Sequence, residues 1–152
     1  MNIKPHLYAT ALAAVLALIA WPAGKFAAAE KTAVNPAGTW KITTFLPQTK
    51  RKTGSEQTLK LKLEGGKLTG TITCRSSVNG NVRIFEWPIA DARLQGTDLS
   101  FSVTHPPVTG SGPDATAKYT GKISGDTMQG KAESEWSGHT WTRDWEAKRV
   151  KQ

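Results

Sequence analysis

The chain reads as an all-β protein, an eight-stranded antiparallel up-and-down meander barrel, and three observations predict it. From Gly38 onward, stretches of six to twelve residues alternate apolar and polar side chains, the period of a strand with one buried face. Short Gly-bearing turns separate them, and nothing past residue 38 sustains a 3.6-residue period. Eight such stretches, joined almost entirely neighbour to neighbour, would leave two bare edges in an open sheet; closing the sheet removes both. A two-sheet sandwich with Greek-key crossovers is the competing arrangement.

The first strand, 38–46, carries Trp40, Ile42, Thr44 and Leu46 on one face. The second, 57–64, alternates Leu59, Leu61 and Leu63 with Lys60 and Lys62, and Glu64-Gly65-Gly66-Lys67 closes it as a two-residue hairpin. The third, 67–77, turns Leu68, Gly70, Ile72 and Cys74 to one side. Asn79-Gly80 is the strongest short hairpin signal, because both residues tolerate positive φ. If 78 pairs with 81, then 74 faces 85 and 72 faces 87, so Cys74, Phe85, Ile72 and Trp87 share a face. Val82 and Ile84 then lie on the other face, and a bulge would be needed to bring them in.

The fourth strand, 82–94, is kinked at Pro88, which cannot donate to a ladder. Gln95-Gly96-Thr97-Asp98 leads to the fifth, 98–104, with Leu99, Phe101 and Val103 inward. After a longer loop, 105–114, the sixth strand, 115–123, carries Ala117, Tyr119, Gly121 and Ile123 on one face. The seventh, 127–136, carries Met128, Gly130, Ala132, Ser134 and Trp136. The eighth, 140–149, alternates Trp141, Arg143, Trp145, Ala147 and Arg149 with Thr142, Asp144, Glu146 and Lys148.

Followed up and down, the tight turns 64–67, 95–98 and 124–126 fall at one end. The long connections 47–56 and 105–114 fall at the other, with 78–81 and 137–139. One end is pinched shut and the other carries polar loops, the usual place for a binding site in a small barrel. Strand one starts, and the last strand finishes, at the closed end, so Trp40 and Arg149 meet at its floor.

Gly38-Thr39-Trp40 on the first strand and Arg149 on the last resemble the lipocalin and avidin-like group of calycin barrels. Asp144-Trp145-Glu146-Ala147-Lys148-Arg149-Val150 is similar to the closing strand of avidins. The resemblance spans about 38–150 in strand order and implies a ligand pocket at the open end. The long terminal helix and the disulfides of lipocalins are absent. Lys41-Ile42-Thr43-Thr44-Phe45-Leu46-Pro47 offers no counterpart to the polar residues that hold biotin, so biotin binding is not implied.

The first 29 residues read as a signal peptide. Lys4 and His6 precede an apolar run over 7–20, Trp21-Pro22-Ala23-Gly24 breaks it, and Ala27-Ala28-Ala29 fits the small-x-small cleavage rule near Ala29. The run is shorter than the roughly 20 residues a spanning helix needs; an uncleaved anchor is the alternative. Residues 30–37 read as a linker and 38–150 as the barrel domain. The expected location is periplasmic or secreted, with no membrane association after cleavage. The chain carries 20 Lys and Arg against 12 Asp and Glu, net +8; losing 1–29, with Lys4 and Lys25 and no acid, leaves +6. That balance suits anionic small molecules, acidic polysaccharides or lipid headgroups. An exported protein meets little nucleic acid, so no nucleic-acid partner is expected. The single Cys74 excludes an internal disulfide framework and reads as buried in its strand register.

Trp136 and Trp141 flank the 137–139 turn at the open end, where either could stack on a ligand or simply pack. Arg143 shares a face with Trp141 and Trp145. If that face is inside, the guanidinium needs an internal acid or an anionic ligand, unless a bulge turns it out or Glu86 or Glu135 pairs with it. Tyr119 and His105 complete the candidate ligand-binding set. Lys50-Arg51-Lys52, in the first long loop, could steer an anion or be a solvated run. His105 and His139 are too isolated to mark a metal site. There is no nucleophile elbow, phosphate loop or metal motif, and Glu133 and Glu135 point outward. The expectation is a non-catalytic, exported small-ligand-binding protein for a partly apolar or anionic ligand, without cofactor. The alternative is a secreted interaction module, an enzyme inhibitor or carbohydrate binder. A lyase or isomerase would need an acid or His beside Arg143.

Overall fold

The computed structural model describes residues 34–52, 56–78, 80–107 and 111–151. The signal peptide expected over 1–29, its cleavage near Ala29 and the first residues of the linker lie outside the described residues. The strands are β1 (Gly38–Phe45), β2 (Glu56–Glu64), β3 (Lys67–Val78), β4 (Asn81–Pro88), β5 (Ala90–Gln95), β6 (Asp98–His105), β7 (Ala115–Ser124), β8 (Thr127–Trp136) and β9 (His139–Arg149). They form one antiparallel up-and-down sheet in the order β4-β3-β2-β1-β9-β8-β7-β6-β5, curled into a half-barrel. The inward residues pack into a single core, led by Trp40, Trp145, Ile42, Leu59 and Met128.

Nine strands stand where eight were expected, because the segment read as one strand over 82–94 is two. Pro88 has no N–H to donate, and the ladder stops there. Among the described residues β4 pairs with β3 alone, and β5 with β6 alone. At the junction the Ile89 amide donates to the Gly70 carbonyl at 3.0 Å. The chain is thereby handed from one neighbour to the other, with a register shift between Ala90 and Arg93 and a positive φ at Asp91. The two ends of the hydrogen-bonded order are therefore consecutive in sequence.

The β3–β4 hairpin has the register that an Asn-Gly turn dictates. Val78 pairs with Asn81, Cys74 with Phe85 and Ile72 with Trp87. The bulge expected to turn Val82 and Ile84 inward is absent: the ladder runs without a shift, and Val82 and Ile84 are 55% and 70% exposed. Two-residue hairpin geometry fixes alternation from the turn outward, and it outweighs the cost of two solvated aliphatic side chains.

At the closed end, Trp40 pairs with Arg149 across β1 and β9. The guanidinium carbon lies 4.1 Å from the centroid of the Trp40 ring. Its Nε donates to Asp126 at 3.0 Å, one Nη to the Asn35 carbonyl at 2.9 Å and the other to the Ala37 carbonyl. The Trp40 Nε1 donates to the Pro36 carbonyl at 2.9 Å. Residues 35–37, within the stretch read as a linker, are thus clamped beneath the sheet. Gly38 is required there: its φ is +133°, and a Cβ would sit 2.8 Å from an Arg149 Nη.

One inward row sets the curvature. Gly121, Gly130 and Trp145 are directly opposite one another on β7, β8 and β9. The Trp145 indole crosses the two glycines and donates from Nε1 to the Thr120 carbonyl on β7 at 3.2 Å. A Cβ on Gly130 would come within 1.9 Å of that same carbonyl oxygen, and a Cβ on Gly121 within 2.7 Å of the Trp145 ring. Gly130→Ala is therefore expected to lower stability by on the order of 3 kcal/mol, since backbone rather than a flexible side chain must move. Gln129→Ala, an outward neighbour, should change it by less than about 0.5 kcal/mol. Urea unfolding followed by tryptophan fluorescence measures both.

Candidate functional site

The inward faces of β8 and β9 are complementary in size. β8 offers Gly130, Ala132 and Ser134; β9 sets Trp145, Arg143 and Trp141 directly opposite them. Small residues on one strand leave room for large ones to lean across it. The ladder between the two strands runs without a shift from Thr127–Lys148 to Trp136–His139. The bulge that would have turned Arg143 outward is therefore absent.

Arg143 is half-buried on the concave face. Among the described residues no carboxylate pairs with it: neither Glu86 nor Glu135 is in an ion pair, and the ion-paired acids are Glu56, Asp98, Asp126 and Asp144, each held by another cation. Tyr119 lies one strand beyond Ala132 in the same inward row. Its ring stacks on Phe101 at 4.7 Å and meets Trp145 edge-on at 5.9 Å. Its hydroxyl donates to the Gln57 side-chain carbonyl at 3.4 Å, which ties β7 to β2 across the concave face.

Burial pushes the Tyr119 phenol up to about 12, and the neighbouring Cys74 thiol adds to the shift. The Arg143 cation and the Gln57 hydrogen bond oppose it. Trp141 stands one inward position along β9 from Arg143. Its Nε1 is fully buried and donates to no acceptor among the described residues. Such a group normally finds a partner, and leaving one unmet costs on the order of 1–3 kcal/mol.

Of the five residues expected to bind ligand, Arg143, Tyr119 and Trp141 therefore gather on one concave wall. Trp136 and His105 are occupied elsewhere. Trp136 donates from Nε1 to the Pro113 carbonyl at 3.1 Å, and its ring lies against Gly112, which fastens the arm preceding β7. His105 stacks on Trp87 at 4.5 Å, with Phe85 stacked behind at 5.5 Å, and its Nδ1–H donates to the Pro106 carbonyl. Gln57 and Cys74 join the cluster from the far wall. Gln57 lies in the inward register of Leu59 and Leu61, the one signal in the sequence that could have marked it.

A second recess lies on the outer face. A cleft of about 850 Å³ runs over β5 to β9 and is lined by Lys122, Lys131 and Asp144 together with Gly121 and Gly130. Lys50 reaches back from the first long loop to Asp144, which also accepts from Lys131 at 3.1 Å. These two bonds hold the Asp144 carboxyl below the usual carboxylate range. Lys50, read from the sequence as either a steering charge or part of a solvated run, is thus paired on the outer wall. Lys122 is likewise paired with Asp98. The concave cluster is different in kind: among the described residues it holds one buried N–H without an acceptor and one cation with no carboxylate beside it. Among the described residues no three His, Cys, Asp or Glu side chains cluster as metal ligands would.

The Tyr119 environment makes alkaline stability depend on this cluster. The unfolded phenol ionises near 10.0 and the folded one near 12. The contribution is intact below the lower value and declines as pH rises through the window between them. Denaturant titrations from neutral pH to pH 12 should show that decline in the wild type. Tyr119→Phe should flatten it.

Compared with known proteins, the chain matches no family model and no curated protein sequence.

Proposed function

We propose that this chain is an exported, calycin-like binding protein that takes a small, partly apolar ligand with an anionic or acceptor-rich group on the concave face of its sheet. One observation carries the reading: among the described residues the Trp141 Nε1–H is buried without an acceptor, next to an inward Arg143 that has no counter-ion. Both groups donate and neither meets its partner there, so a ligand bringing a carboxylate or carbonyl oxygen would supply what each lacks. Phe101, stacked on Tyr119, and Trp145, edge-on to it, would take its apolar part. Export rests on the expected signal peptide over 1–29. A calycin-type barrel rests on Gly38-x-Trp40 clamped by Arg149, and on the pairing of the first strand with the last.

Trp136 and Trp141 make a poor flat aromatic platform, because one is pinned to Pro113 and the other has its polar edge buried. That favours a recess for a small molecule over a carbohydrate-stacking patch. Titration with fatty acids, retinoids and aromatic acids, read by tryptophan fluorescence, tests the reading. A saturable change is expected for at least one member. Arg143→Gln should weaken an anionic ligand by about tenfold or more, the loss of one charge-assisted hydrogen bond. It should leave the neutral alcohol of the same chain length unaffected. A silent panel, with Trp141→Ala equally silent, would remove the proposal.

A further inference from the structure

The rings of the concave face differ in what they offer a ligand. Phe101, Tyr119 and Trp145 are 3%, 6% and 1% exposed, so they can back an apolar group but give it little open face. The Tyr119–Gln57 hydrogen bond crosses from β7 to β2, and the core that Tyr119 packs into is filled by Trp40, Ile42, Leu59 and Met128. The more open ring lies on the other wall. Phe85 pairs with buried Cys74, so its side chain takes the concave side. Cys74 in turn pairs with Gln57, the acceptor of the Tyr119 hydroxyl, which sets Phe85 in the same cross-strand row as the hydrogen bond that spans the site. Phe85, Trp87 and His105 form one stack: the first pair lies 5.5 Å apart at 7°, the second 4.5 Å apart at 28°. Among the described residues the stack ends at Phe85, which is half-buried, and Arg83, the next residue on that side of β4, is exposed.

We infer that the ligand of this site is a compact aromatic acid, its ring laid on Phe85 as the fourth member of the stack and its carboxylate turned to Arg143 and the Trp141 N–H. The inference rests on the concave site proposed above and adds to it a ligand class and Phe85 as a binding residue. A planar ring gains from stacking what a saturated ring of the same size does not. A carboxylate suits a guanidinium with a second donor beside it. A long aliphatic chain gains little here, because Tyr119 and the filled core stop it, and methylenes left in water add nothing to affinity.

Isothermal titration calorimetry of the full chain with phenylacetate, cyclohexylacetate, octanoate and laurate tests it. Phenylacetate should bind about fivefold more tightly than cyclohexylacetate, the value of one stacked ring pair. Phe85→Leu should erase that margin and leave cyclohexylacetate binding unchanged, with circular dichroism reporting that the sheet is intact. Laurate should bind no more tightly than octanoate, whereas a chain buried along its length would gain about fourfold per methylene. Equal affinity for the two ring acids in the wild type overturns the inference and leaves the concave site standing; this comparison decides the matter even if the variant fails to fold. A margin that survives in folded Phe85→Leu overturns it too, as does laurate binding more tightly than octanoate. If none of the four acids binds, the concave site itself falls, and the ligand class with it.

Discussion

Trp145 can lie flat across β8 because two glycines face each other beneath it, and much else depends on that accommodation. The indole fills the space that two side chains would have taken and hydrogen-bonds the backbone of a strand two places away. A sheet bent this sharply brings β7 round to face β2, and the Tyr119–Gln57 hydrogen bond follows from it. The same bend leaves the outer surface concave over Gly121 and Gly130. Both recesses of the molecule are thus two sides of one row of residues.

The pairing of small with large continues along β8 and β9 and changes character as it goes. At Gly130 and Trp145 it makes core. At Ala132 and Arg143 it sets a cation inside, and at Ser134 and Trp141 it buries an N–H without an acceptor. Polar groups are costly to bury in proportion to how poorly they are met. The gradient along β9 therefore runs from groups the described residues satisfy to groups they leave unmet.

Alternation carried most of the architecture into view from the sequence, because each strand has one wet and one dry face and the turns are short. The two-residue hairpins at Gly65-Gly66 and Gly125 and the β3–β4 register are local consequences of φ, and local consequences are legible. Two differences have local causes whose outcome the sequence left open: Pro88 has no N–H, so the kinked segment becomes two strands with different neighbours, and the β3–β4 ladder carries no bulge, so Val82 and Ile84 stay outward. For the site, the inward register of Arg143, Trp141 and Tyr119 could be read strand by strand. Occupation by other partners could not: Trp136 goes to Pro113 and His105 to Trp87 through contacts between distant segments. Lys50 is the same case, a loop charge drawn to Asp144 on the outer wall.

The pairing of Trp40 with Arg149 joins the beginning of the domain to its very end. Until β9 arrives, β1 has one ladder partner, and the clamp over Asn35, Pro36 and Ala37 has no guanidinium to close it. Contacts so remote in sequence form late and slowly, after the entropy of closing the largest loop has been met. A chain emerging residue by residue cannot complete this sheet early. The last strand is the one that completes the pairing of β1 and closes the clamp.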